Sequence, residues 1–168
     1  MGLFKGIICI LLIITFSCES NGGQFSKGGV SFSYAPGWSI TDQEEINDDG
    51  YYLSIEKDGF EESGLITVTY LEDSLELYSY MQLLQINYQD EMHFEDHKFN
   101  TIREGEFNGI DCISSKFTFN ALGLEYKGVL YVLVSENKTF SLLFQEAIED
   151  TSINKEGFKT VKSTFRIG

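Results

Sequence analysis

Apolar and aromatic residues recur at every second position in short runs along this chain, and residues that force turns stand between the runs. That pattern commits most of the sequence to short strands with one buried face. Val30-Ser-Phe-Ser-Tyr34 alternates and stops at Ala35-Pro-Gly-Trp38, where proline and glycine bend the chain. Tyr51-Tyr-Leu-Ser-Ile55 and Leu65-Ile-Thr-Val-Thr-Tyr-Leu71 read as the next two strands, with bends at Asp49-Gly50 and at Gly59 to Gly64. Asn108-Gly109 holds two residues that tolerate positive φ, as a two-residue hairpin loop requires. It joins expected strands around Thr101 to Phe107 and Ile110 to Phe119. Leu124 to Val134 and Thr139 to Gln145 form a further pair around Glu136-Asn-Lys138. Their closeness in sequence argues for antiparallel pairing.

Two segments carry a different period. From Leu75 to about Gln89, apolar residues fall at 77, 80, 81, 84 and 88, which is helical spacing. Asp73 is the expected cap, and Glu76 three residues later completes a capping-box pattern. A shorter helix is expected from about Ser152 to Ser163, with Phe158, Val161 and Phe165 as its stripe, although Gly157 weakens it. No repeat or internal linker interrupts the chain. The expected class is α+β, helices packed on a central antiparallel sheet.

The N-terminus follows another rule. Lys5 precedes the apolar stretch Ile7 to Phe16, and Ser17 stands before Cys18. About 20 apolar residues are needed to cross a membrane, so roughly ten cannot span one. A positive start, a short apolar core and a small residue before a cut make an export signal. With a cysteine next, the segment resembles a bacterial lipoprotein signal, which implies removal of residues 1–17 and acylation of Cys18. Thr15 departs from the aliphatic residue usual at that place. An ordinary secretory signal cut nearby, or a short uncleaved anchor, is the competing reading. Glu19 follows the cysteine. An acid soon after it directs surface export in some bacterial groups and retention in others, so the periplasmic or cell-surface face stays open. Residues 18–28 are polar and glycine-rich and read as a flexible tether, leaving 29–168 as one domain.

Eleven basic and 26 acidic residues remain after the signal, a net charge of −15. That opposes nucleic acid and anionic lipid head groups as partners. The expected partners are the membrane, through the lipid anchor, and an envelope protein. With Cys9 in the signal and Cys18 acylated, Cys112 is the one cysteine left. It sits in a strand-like run as a small buried apolar residue.

Constellations with chemistry are weak. Glu45-Ile-Asn-Asp-Asp-Gly and Glu56 approach a calcium loop, but glutamate replaces the first aspartate and no helix flanks the segment. His93 and His97 are four apart, yet Phe94 stands where a zinc protease needs glutamate. The segment Asp90 to His97 reads instead as the solvated exit of the long helix. Asn137-Lys-Thr139 matches a glycosylation acceptor and reads as a hairpin loop. No glycine-rich phosphate loop, Gly-x-Ser-x-Gly motif or basic aromatic patch is visible. No catalytic, metal or cofactor site is expected, and the chain is read as a non-enzyme.

Gly29-Val-Ser-Phe-Ser-Tyr-Ala-Pro-Gly-Trp38 resembles the opening strand and turn of PsbP-like domains, with the proline one place late. The long helix after the third strand, the series of strands including Tyr126-Lys-Gly-Val-Leu-Tyr131, the terminal helix and the closing Ser163-Thr-Phe-Arg-Ile167 are similar in outline. The resemblance covers residues 25 to 168. It implies an α-β-α sandwich around a central antiparallel sheet. It also implies a binding or assembly role, as in bacterial lipoproteins of the DcrB type. A small-ligand or cation binder is the alternative.

Overall fold

The computed structural model describes residues 22–46, 49–59, 62–92 and 95–168. In chain order the strands are β1 (Gly23–Lys27), β2 (Val30–Tyr34), β3 (Trp38–Ile46), β4 (Gly50–Lys57), β5 (Leu65–Leu71), β6 (Glu95–Phe99), β7 (Arg103–Phe107), β8 (Ile110–Ala121), β9 (Leu124–Ser135), β10 (Lys138–Ala147) and β11 (Arg166–Ile167). Helix α1 (Leu77–Met92) lies between β5 and β6, and α2 (Thr151–Thr164) between β10 and β11. Eight strands form one antiparallel sheet in the order β3-β4-β5-β10-β9-β8-β6, with β7 on the same edge of β8 as β6. A second sheet of three strands has the order β1-β2-β11.

Period-two patterning divides the core in two. On β10, Phe140, Leu142 and Phe144 face one side while Leu143 faces the other. Phe117 and Phe119 of β8 share the Leu143 side with Met81, Leu84 and Tyr88 of α1. The opposite face carries Leu53, Ile55, Ile66 and Val68, covered jointly by α2 and the small sheet. Phe25 and Phe32 of that sheet stack at 5.2 Å, and Phe32 meets Phe165 at 6.2 Å. The fold is therefore dominated by sheet. A helix lies on each face, but the α2 face is shared with strands, so the flanking layers are less helical than a sandwich of helices implies.

Turn chemistry explains the joints. Gly37 has φ 75° after Pro36, and Trp38 N–H donates to Ala35 O at 3.2 Å, the type II arrangement that proline and glycine favour. Asn108 and Gly109 have φ 52° and 80°, as the two-residue hairpin requires.

Three expectations change. Residues 23–27 are not tether: β1 pairs along its length with β2 and buries Phe25. β3, for which alternation gives no signal, is a strand through its polar run Thr41 to Glu45, because an edge strand with two wet faces needs no alternation. Residues 95–99 are a strand on β8 and not a helix exit. The cap of α1 is Glu76 itself, whose carboxylate accepts from Tyr78 N–H at 3.1 Å and Ser79 N–H at 2.7 Å. Asp73 contributes only its carbonyl, which accepts from the Thr139 hydroxyl at 2.7 Å while that hydroxyl accepts from Leu75 N–H at 2.8 Å. Gly157 does not break α2; it is buried where the helix touches Trp38.

Candidate functional site: a lysine-lined cleft

The segments the sequence singled out do not converge. Cys18, the candidate lipid attachment, lies outside the described residues, as do His93, Asn47 and Asp48. Glu45 pairs in register with Tyr51 and Glu56 with Ser39, at opposite ends of the β3–β4 hairpin. About five residues of strand separate them, roughly 17 Å, so they cannot share a calcium ion. Glu45 is held instead by Lys27 at 2.9 Å, and Glu56 accepts from the Thr41 hydroxyl at 3.0 Å. His97 packs among Tyr88, Phe99, Phe117 and Phe119 on the α1 side. Cys112 is buried in the other half of the core, beyond reach of His97. Burial, with Asp111 and Glu106 nearby, pushes its thiol above the usual range. Among the described residues no group of three His, Cys, Asp or Glu side chains could hold a metal.

A site the sequence did not announce is built on the α2 face. Residues of one strand parity on β8, β9 and β10 share that face, and register places Lys116 opposite Val129, Thr118 opposite Lys127, and Lys127 opposite Glu146. Helix α2 crosses above β10 and presents Lys155, Phe158, Lys159 and Lys162, spaced to form one stripe. The space between encloses about 390 Å³ and runs into a second hollow of about 460 Å³ that shares Glu146, Phe158 and Lys162. Five lysines line the two hollows, and Glu146 is the acidic residue among the lining side chains. On a chain of net charge −14, this concentrates positive charge in one place.

Lys162 is the half-buried centre of the site. Its ammonium lies 4.5 Å from the Phe144 ring centroid and 5.3 Å from that of Tyr131, whose hydroxyl is 3.5 Å away. No carboxylate among the described residues comes within ion-pair distance of it. Desolvation pulls its pKa below that of an ordinary lysine; Glu146 opposes this and Lys116 adds to it. Lys127 reaches Glu146 at 3.4 Å, and Glu146 Oε2 is buried without a hydrogen-bond partner among the described residues. Phe158 forms the wall, with its ring 5.5 Å from both Phe144 and Trp38. A cleft with an aromatic wall, converging ammonium groups and an unfilled buried acceptor is equipped to bind. A larger hollow under the β8–β9 hairpin tip, about 1060 Å³, is lined by Glu95, Glu125, Asn120 and Gln145, without a cation. Exposed large apolar side chains include Leu83 and Ile86, three apart on α1 and so neighbours on its surface, and Leu122 at that tip.

No family model matches the chain, and no curated protein matches it by sequence. Solved structures do match in shape. Cyanobacterial PsbP (CyanoP) from Synechocystis sp. PCC 6803 is similar with a TM-score of 0.60 at 14% identity, over 89% of this chain and 94% of that one. A Bacteroides thetaiotaomicron structure gives 0.56 at 16% identity over 88% of this chain, which spans 49% of that one. LpqN of Mycobacterium tuberculosis, described as involved in cell envelope biogenesis, gives 0.52 at 7% identity over 87% of this chain and 90% of that one. The domain has the PsbP-like fold. No helix among the described residues is long and apolar enough to cross a membrane.

Proposed function

We infer that this chain is a non-catalytic binding module of the cell envelope, held at a membrane by acyl chains on Cys18, and that the lysine-lined cleft is where it binds. The cleft carries the reading. Lysines on an acidic protein repel one another less in solvent than in a shared hollow, so gathering them costs stability unless something occupies the space. Cys112 and His97 lie in opposite halves of the core, so these two do not act together as a nucleophile and its base. The likeness to LpqN, a protein of envelope biogenesis, supports the compartment. The signal pattern around Cys18 supports the anchor, since two or more acyl chains give stable attachment where one is marginal.

The test is expression of the full chain and of Cys18→Ala with labelled palmitate in a bacterial host. The wild type is expected to carry label and to sediment with membranes, and Cys18→Ala to lose both. Equal label and equal sedimentation would overturn the anchoring.

A further inference from the structure

We propose that the cleft takes a small hydroxylated anion, a sugar phosphate or sugar acid, with its anionic group among Lys116, Lys127 and Lys162 and a hydroxyl donating to Glu146 Oε2. The inference rests on the binding reading above and names the ligand class for the same site.

Three features select this chemistry. The first is charge. Lys162 has no carboxylate partner among the described residues, Lys116 lines the same hollow, and Lys127 shares one oxygen of Glu146. An anion with several acceptor oxygens satisfies all three ammonium groups at once, and such charge-assisted bonds are the strong ones.

The second is the unfilled acceptor. Glu146 is 6% exposed and its Oε2 has no partner among the described residues, a costly state for a buried oxygen. A bare anion would meet it with repulsion. A ligand that also carries a hydroxyl turns that oxygen into a contact, so the site should prefer a hydroxylated anion to the anion alone. The third is the Phe158 wall, on which the C–H face of a sugar ring can lie, within a volume of about 390 Å³ that suits a monosaccharide.

The experiment is calorimetric titration of the full chain in mild detergent with glucose 6-phosphate, glucuronate, glucose and inorganic phosphate. Glucose 6-phosphate or glucuronate is expected to bind more tightly than glucose and inorganic phosphate. The two anionic arms separate the phosphate from the carboxylate source. Affinity should fall about ten-fold or more in Lys162→Met, the size of one charge-assisted contact, and weaken as salt rises. Glu146→Gln should narrow the preference for the sugar phosphate over inorganic phosphate while leaving the fold's melting transition in place. Binding of neither anionic sugar, or binding untouched by both Lys162→Met and Lys116→Met, would overturn the proposal. Inorganic phosphate binding as tightly as the sugar phosphate would overturn it as well, since no hydroxyl would then be engaging Glu146. None of these outcomes bears on anchoring, which the palmitate experiment reads separately.

Discussion

Gly157→Ala sets two physical effects against each other. Alanine is favoured over glycine inside a helix by about 1 kcal/mol, so propensity alone makes the variant more stable. Packing says the reverse. A Cβ on Gly157 would fall inside the contact distance of three indole atoms of Trp38. Trp38 is 2% exposed and has little room to move: Gly64 also approaches the indole, where an added Cβ would be too close, and Phe158 packs against it in a tilted pair at 5.5 Å. Overpacking of this kind costs about 1–3 kcal/mol. With three atoms involved the upper half of that range applies, giving a net loss of about 1–2 kcal/mol. Trp38 is the chain's single tryptophan, so its fluorescence during urea unfolding reports the site directly. Glu156→Ala, exposed one residue earlier, is the control and should stay within about 0.5 kcal/mol of wild type. A Gly157→Ala midpoint at or above wild type, with an unchanged denaturant slope, would refute the reasoning. The consequence for the cleft is direct, because displacing α2 moves both Phe158 and Lys162.

Thr139→Val removes a buried hydroxyl that bonds both Asp73 O and Leu75 N–H, and should cost about 1–3 kcal/mol in urea unfolding; a neutral effect would mean the lead into α1 is held elsewhere. His97 is kept below its ordinary value of 6.5 by burial. The unfolded chain therefore takes up the proton first, and the His97 contribution is complete above that pH and lost as pH falls from 6.5 through the folded value. Urea midpoints at pH 7.5 and 5.5 should differ in wild type, and less in His97→Phe; equal differences would discard the account. Leu122 sits at φ 53° and is 98% exposed, a conformation asparagine bears more easily. Leu122→Asn should raise stability by roughly 0.5–1 kcal/mol by thermal melting, and a lower melting temperature would show that the leucine has a contact of its own.

Legibility in the sequence tracked how local the determining physics is. Asn108-Gly109 declares its hairpin because both residues favour the φ the turn needs. Leu122-Gly123 takes nearly the same pair of angles, 53° and 82°, and declares nothing, because the register between the twelve-residue strands β8 and β9 imposes it. β1 was hidden because its sheet partner β2 supplies most of the reason for its existence, with Phe25 as its one buried apolar anchor. For the cleft, the spacing of Lys155, Lys159 and Lys162 on α2 was open to reading as a basic stripe. What could not be read was that Lys116 and Lys127 join it, since that depends on strand parity and on where α2 crosses the sheet.

The start of β1 also changes how the proposed anchor must work. With the sheet beginning at Gly23, five chain steps separate it from Cys18, a reach of at most about 18 Å. That is about two Debye lengths at physiological salt, far shorter than a tether to residue 28 allows. With acyl chains on Cys18, a domain of net charge −15 would be held within about two Debye lengths of the head groups, where part of the repulsion from anionic lipid survives screening. The acyl chains have to exceed that repulsion, at about 0.8 kcal/mol for each buried methylene. Salt should therefore act opposite to its effect on a peripheral protein. Raising ionic strength to about 1 M shrinks the Debye length to about 3 Å and removes the repulsion, so a salt wash should leave the wild type in the membrane pellet. Release into the supernatant would mean that charge, through the lysine cleft or elsewhere, holds the protein, and that Cys18 does not.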